Sequence, residues 1–286
     1  FDDYYSFLYQ RKKRKIIIKM KKNNISINEK INLFVKNWLP DKDIKAVIII
    51  IHGLAEHSER YNHVGKFFSS FGYAVESYDL RGHGKSDGEK VFIDSIYEHV
   101  YDLKTFINYI KNQYPDKNIF LLGHSLGGQI SCLYSIKYKL DISGLILSGA
   151  VIKISDDISP LLQKLSGIIA KIFPRLPITK IDSSWISRDK NIVKLYDNDP
   201  LVYRGGTLSK TGSEIIRGTN HIKNNMKQIM IPILIMHGTS DRLADPKGSQ
   251  KLYNGVISND KTIKLYENFY HEILNEPEKE KVMKDI

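Results

Sequence analysis

Residues 118–134 read NIFLLGHSLGGQISCLY, and no other stretch of the chain limits the possible folds as strongly. The apolar run 119–122 has the character of a short strand buried on both faces. It leads straight into Gly123-His124-Ser125-Leu126-Gly127, after which Ile130, Leu133 and Tyr134 recur at helical spacing. A serine at such a strand-to-helix corner is forced into a strained backbone conformation. A Cβ two residues to either side would collide with the turn, which accounts for the flanking glycines. The corner lifts the Ser125 hydroxyl above the sheet and sets a helix N-terminus behind it.

That corner has the form of the nucleophile elbow of an α/β-hydrolase. The motif itself is weak, because Gly84-Lys85-Ser86-Asp87-Gly88 repeats the G-x-S-x-G pattern in the same chain. The second copy follows Arg81-Gly82-His83 rather than an apolar strand, and no helical stripe follows it, so it is expected to be a polar loop. Context selects Ser125.

At 286 residues the chain can hold one large α/β domain, or a core with an inserted subdomain. Its longest aliphatic run, 46–51, is too short to span a bilayer, and no secretory leader is evident. The single cysteine, Cys132, excludes an intrachain disulfide and falls on the helix after the elbow, where a buried structural thiol is expected. A cytoplasmic or peripheral-membrane setting fits these features. The net charge of +11 raises the question of nucleic acid or an anionic membrane. Lys, Asn and Ile abound throughout, and no nucleic-acid module is recognisable. The densest basic cluster, 11–15 with Lys19, Lys21 and Lys22, precedes the core as a solvated or membrane-facing arm.

In chain order, 15–20 and 31–38 are expected strands of an edge hairpin joined by the polar turn 22–30. The run 46–51 is a fully buried strand ending in His52-Gly53-Leu54-Ala55-Glu56-His57. Helix 59–71, strand 74–78, helix 95–113, the elbow unit and strand 142–147 follow. Strands alternating with helices predict a mainly parallel, doubly wound sheet. The alternation breaks from about 150 to 230, where 159–173 has the spacing of an amphipathic helix. This region is expected to be an inserted helical cap, an ordinary core-packing helix being the alternative for 159–173, and its apolar face could touch lipid. The expected divisions are thus a basic arm with edge strand (1–30), core (31–149), cap (150–230) and core (231–286).

A serine hydroxyl needs a base to accept its proton, and the base needs an acid to fix its tautomer. In this fold they follow the serine in the order acid, then histidine, each after a strand. Asp241 stands at the end of the expected strand 231–236, with Asp245 the runner-up. Of nine histidines, only His271 lies in a loop after the last expected strand, 262–266. The oxyanion hole takes one N–H from the loop after 46–51 and one from the residue after the nucleophile, here Leu54 and Leu126. No Cys/His cluster has zinc-ligand spacing, and the glycines fit neither a phosphate loop nor a dinucleotide fingerprint. Neither metal nor cofactor is expected.

The chain resembles the monoglyceride lipase and lysophospholipase branch of the α/β-hydrolases, of the serine aminopeptidase S33 type. The resemblance rests on His52-Gly53-x-x-Glu56-His57-Ser58-x-Arg60-Tyr61, Gly82-His83-Gly84-x-Ser86-x-Gly88, Gly123-His124-Ser125-x-Gly127-Gly128 and Asp241-Arg242-Leu243. It covers about residues 31–286, including Tyr196, Asp199 and Pro200 of the cap. It implies a serine esterase acting on a monoacylglycerol or lysophospholipid, with Glu56, Arg60, His124 and Tyr196 lining the head-group pocket. Glu56 and Arg60 also read as a structural ion pair under the loop. A broad carboxylesterase or thioesterase, an acyltransferase and a non-catalytic lipid-binding protein are the alternatives.

Overall fold

The computed structural model of the chain describes residues 20–21, 24–28, 31–41, 43–155 and 159–286. In chain order its strands are β1 (Met20–Lys21), β2 (Asn24–Asn28), β3 (Ile31–Trp38), β4 (Ala46–Ile51), β5 (Tyr73–Tyr78), β6 (Ile119–His124), β7 (Gly144–Ser148), β8 (Pro177–Thr179), β9 (Thr207–Leu208), β10 (Ile233–Gly238) and β11 (Lys261–Tyr266). The helices are α1 (Asn62–Ser70), α2 (Ile96–Gln113), α3 (Leu126–Tyr138), α4 (Pro160–Ile172), α5 (Lys190–Asn198), α6 (Ser209–Asn225), α7 (Pro246–Gly255) and α8 (Lys279–Asp285).

One sheet runs β1-β2-β3-β5-β4-β6-β7-β10-β11. From β5 to β11 every pairing is parallel, while β1, β2 and β3 join antiparallel at one edge. The aliphatic run 46–51 is buried throughout because it feeds both faces of the sheet. Val47, Ile49 and Ile51 pack with residues of α2 and α3, whereas Ile48 and Ile50 pack with Val64 and Phe68 of α1 and Val282 of α8. That division follows from the two-residue period of a strand.

Chain direction across the sheet reverses at β4. The chain leaves β4 through α1 to β5, then returns through α2 to β6 on the other side of β4. Such a switch point opens a crevice at the carboxyl ends of the strands. The loop after β4 and the elbow after β6 both end there.

At the edge the structure differs from the expected hairpin. The expected turn 22–30 contains β2, and most of the expected strand 15–20, like most of the basic arm, lies outside the described residues. Asn24-Ile25-Ser26-Ile27 alternates polar and apolar residues, and Ile25 and Ile27 are buried against the core. The alternation is too short, and too rich in Asn, to stand out from a turn.

Between β7 and β10 the chain forms α4, α5, α6 and the small β8–β9 ladder. Helix α6 belongs with the core: Ile215 and Ile222 join the main apolar cluster, and Gln129 of α3 donates to the Ile215 carbonyl at 3.0 Å. Gly218 allows this approach, since a Cβ there would sit 2.6 Å from Gln129 Oε1. Helix α6 also caps α2, with Glu214 accepting the Ile96 N–H at 3.1 Å. Ile186, Tyr196 and Val202 form a separate small apolar cluster.

Candidate active site

Ser125 stands at the end of β6 with φ 51° and ψ −116°, a conformation few residues other than glycine adopt. Its surroundings hold it there. The Ser125 N–H donates to the Ser148 carbonyl at 3.0 Å, and its own carbonyl accepts from Gln129 and Val151, each at 3.1 Å. A Cβ on Gly127 would lie 2.1 Å from the Ile51 carbonyl oxygen, and one on Gly123 would lie 2.6 Å from the Gly127 carbonyl oxygen. The elbow is therefore pressed against the end of β4. Leu126 is the first residue of α3, where N–H groups have no partner inside the helix. Cys132 is buried on the same helix, and burial pushes its thiol far above the ordinary range.

The loops after β10 and β11 meet at this serine. His271 Nε2 lies 2.8 Å from Ser125 Oγ, and His271 Nδ1 lies 2.6 Å from Asp241 Oδ2. Asp241 also accepts from His237 Nε2 at 2.9 Å and from the N–H groups of Leu243 and Ala244 at 2.8 and 3.0 Å. Burial favours protonation of Asp241, but His271 and His237 outweigh it and hold the carboxyl far below its usual range. Burial lowers the His271 imidazole, and the charge and hydrogen bond of Asp241, with help from Glu272 and Glu56, more than restore it. His271 thus sits above its ordinary value. Asp245 points elsewhere: it accepts the Lys247 N–H at 2.8 Å as the N-cap of α7 and pairs with Lys153.

The serine of the second G-x-S-x-G copy has structural work. Ser86 Oγ donates to the Asp79 carbonyl at 2.6 Å and accepts from the Phe34 N–H at 2.9 Å. It is buried between β3 and the loop after β5.

Leu54 lies in the loop after β4, whose shape rests on Glu56. Glu56 Oε1 accepts from the Gly53 N–H at 2.6 Å and from the Tyr61 hydroxyl at 2.8 Å, and Oε2 accepts from Arg60 Nη1 at 2.6 Å. Burial raises Glu56, but Arg60 and nearby histidines outweigh it and hold the carboxyl at about 2. Arg60 also meets Glu272 and lies over the ring of Tyr196, 4.8 Å from its centroid. His124 donates Nδ1–H to the Ser148 carbonyl at 2.9 Å, and its ring stands 4.8 Å from that of His271. Burial and the neighbouring His271 bring His124 down to about 4, so it is neutral near pH 7. All four residues expected at the head-group pocket therefore cluster beside the elbow.

This loop is also tied to the insert. His57 Nε2 lies 2.9 Å from Asp199 Oδ2, and the Tyr203 N–H donates to the Ala55 carbonyl at 2.9 Å.

The family model described as serine aminopeptidase, S33, matches residues 42–278. The chain belongs to this family. A monoacylglycerol lipase of Mycolicibacterium smegmatis is 34% identical over 249 residues, covering 87% of this chain and 89% of that one. A monoglyceride lipase of Rattus norvegicus is 34% identical over 240 residues, 84% of this chain and 79% of the relative. The solved structure of a Paleococcus ferrophilus monoacylglycerol lipase superposes with a TM-score of 0.81 at 28% identity, covering 88% of this chain and 96% of that one. This S33 chain has the α/β-hydrolase fold and falls in the monoglyceride lipase and lysophospholipase branch.

Two residues of this S33 site were not singled out from the sequence for the roles they take. His237 had a signal, a histidine near a strand end four residues before Asp241. Glu272 had only its place next to His271.

Proposed function

We propose that the chain hydrolyses the single acyl ester of a monoacylglycerol or lysophospholipid, with Ser125, His271 and Asp241 as its catalytic set. The observation that carries this reading is the buried line Ser125 Oγ–His271–Asp241, with contacts of 2.8 and 2.6 Å, at a strained elbow. The relatives named above carry the lipid part of it.

His271 Nε2 takes the Ser125 proton as Oγ attacks the acyl carbonyl, and Asp241 stabilises the imidazolium that forms. The Leu54 and Leu126 N–H groups receive the oxyanion, each donor being worth roughly 2.7–4 kcal/mol in comparable sites. His271 then protonates the leaving alcohol and later activates water to release the acid. His124, Tyr196, Glu56 and Arg60 form the polar wall at which the head group rests.

The insert apart from α6 serves as the cap over this crevice, and α4 is its lipid-facing part. Leu161, Leu165, Ile168 and Ile172 recur along one exposed stripe of α4, while Ser166 and Ala170 on the other side are buried. Phe173 and Leu176 extend the exposed apolar surface. The occupant we assign to it is a lipid surface, at which the substrate resides. Among the described residues no helix is long and apolar enough to cross a membrane.

The test is a Ser125→Ala variant assayed on a panel of monoacylglycerols, lysophospholipids, thioesters and short p-nitrophenyl esters, with the lipid products identified. Ser125→Ala should be inactive and should escape labelling by a fluorophosphonate. Full turnover by Ser125→Ala would remove the catalytic assignment. Turnover of thioesters or short esters alone, or acyl transfer without release of free acid, would remove the lipid-ester reading.

A further inference from the structure

Glu272 directly follows His271 but takes no part in the proton relay described above. Its buried carboxylate accepts a forked pair of bonds from Arg60, Oε1 from Nη1 and Oε2 from Nη2, each at 2.7 Å. Asn275 Nδ2 adds a bond to Oε2 at 2.8 Å. A two-point fork of this kind fixes orientation as well as distance. Arg60 Nη1 continues to Glu56 Oε2 at 2.6 Å, and Glu56 Oε1 holds the Gly53 N–H at 2.6 Å. Gly53 is the residue before Leu54. One guanidinium, itself 212 positions from Glu272, therefore ties the residue after the base to the residue before an oxyanion donor.

The packing at Gly53 makes this tie tight. A Cβ there would stand 2.9 Å from Glu56 Oε1, 3.1 Å from Ser125 Cβ and 3.2 Å from His124 Cδ2. Any movement of Glu56 thus reaches the backbone that touches the nucleophile.

Stability alone is a weak reason for such a group. Two buried carboxylates on one guanidinium leave an excess negative charge in the interior, and buried ion pairs are often no better than apolar packing of the same shape. The polar atoms are also largely committed to one another. Both Glu56 oxygens, both Glu272 oxygens and both Arg60 Nη atoms already have partners among these residues, Tyr61 included.

We infer that Glu272 is a positioning residue, which through Arg60 and Glu56 sets the oxyanion loop relative to His271 and Ser125. The inference rests on the reading of Ser125, His271 and Asp241 as the catalytic set and of Leu54 as an oxyanion donor. It separates a geometric role from head-group binding, because misplaced oxyanion donors act on the transition state and head-group contacts act on affinity.

The experiment uses the whole chain with a soluble short-chain monoacylglycerol, which carries the head group, active sites being counted by fluorophosphonate titration. Glu272→Gln is expected to lower kcat per competent site by about 10- to 100-fold, with KM changed less than about twofold. The charged groups facing His271 are Asp241, Glu272 and Glu56, with Arg60 between the two glutamates and His124 alongside; His237 stands behind Asp241. Losing the Glu272 charge should also move the acid limb of kcat/KM to lower pH. Glu272→Asp keeps the charge but shortens the reach. It should leave the limb in place and recover part of kcat. Arg60→Lys loses the fork but not the charge, and should lower kcat without moving the limb, so it serves where Glu272→Gln does not fold. A parental kcat in these variants, a loss carried by KM, or a fall in Tm with unchanged kcat would each overturn the inference. Ser125→Ala runs alongside. If that variant is active the catalytic reading fails first, whereas an inactive Ser125→Ala with a parental Glu272→Gln sinks only the positioning role.

Discussion

His237 Nε2 lies 2.9 Å from Asp241 Oδ2, the same oxygen that holds His271. His237 Nδ1 faces Ser249 Oγ at 2.7 Å, while its Nε2 is turned to donate to Asp241. With the Leu243 and Ala244 N–H groups added, the carboxylate is surrounded by donors and kept ionised.

The first prediction sets Asp241 against Asp245. Asp241→Asn should lower kcat on the order of 10⁴-fold by leaving His271 in the wrong tautomer. Asp245→Asn should stay close to parental activity, because Asn caps a helix nearly as well as Asp and the side chain is engaged with the Lys247 N–H and Lys153. Steady-state kinetics of the two variants decide it, and loss in Asp245→Asn with survival in Asp241→Asn would reassign the acid.

The second concerns pH. Attack needs neutral His271, and its folded value is raised by Asp241 above the ordinary 6.5. Activity should therefore rise with pH through a midpoint above 6.5 and fall away on the acid side. Asp241→Asn removes the largest raising influence, so its residual activity should keep to lower pH. An unshifted acid limb in that variant would mean that another group sets the profile.

The elements that meet at Ser125 were legible because each is local. A buried strand, a glycine turn and a polar residue at the strand end leave their marks within about ten residues. The elbow, the loop after β4 and the loops after β10 and β11 all carry such marks. Partnerships across the chain leave none: nothing beside Glu272 announces Arg60, and nothing beside His57 announces Asp199. Helix α6 escaped for a different reason. Its Gly212 and Gly218 weaken the helical pattern locally, yet Gly218 is what admits Gln129 from α3.

Ser86 provides the third prediction. Its hydroxyl bridges Asp79 and Phe34 main chain in a buried site, so Ser86→Ala leaves a donor and an acceptor without partners. The cost should be about 1–3 kcal/mol of stability, measured by denaturant unfolding. Fluorophosphonate labelling and kcat should be unchanged. A stable but inactive Ser86→Ala would favour the other serine as nucleophile.

Buried histidines provide the fourth. Burial lowers His99 well below 6.5 and, with His52 nearby, lowers His83 to about 3. Among the described residues His99 Nδ1 and His83 Nε2 have no hydrogen-bond partner. Below pH 6.5 the unfolded chain binds protons that the folded chain refuses, so stability present above 6.5 is lost as pH falls. Each such histidine contributes up to about 1.4 kcal/mol per pH unit. His99→Leu removes one of these titrations and one unpartnered buried nitrogen. Its Tm should fall less steeply than the parent's between pH 6.5 and 5, and parallel curves would exclude His99 as a source of the acid sensitivity.

The last prediction tests the lipid-facing role of α4. Leu161, Ile168, Ile172 and Phe173 are 65%, 61%, 63% and 60% exposed, so charges placed there cost the fold little. Immersing a large apolar side chain contributes on the order of 1.5–3 kcal/mol when burial is complete. Ile168→Glu combined with Ile172→Glu should therefore weaken co-sedimentation with lipid vesicles at least about tenfold, allowing for partial immersion. Turnover of emulsified monoacylglycerol should fall with it, while turnover of a soluble short ester stays within about twofold, because the stripe lies outside the catalytic machinery. Binding through an apolar face should also persist at high salt, unlike binding through scattered lysines. Vesicle binding that is unchanged in the double variant, or abolished by salt in the parent, would place the membrane contact elsewhere on the chain.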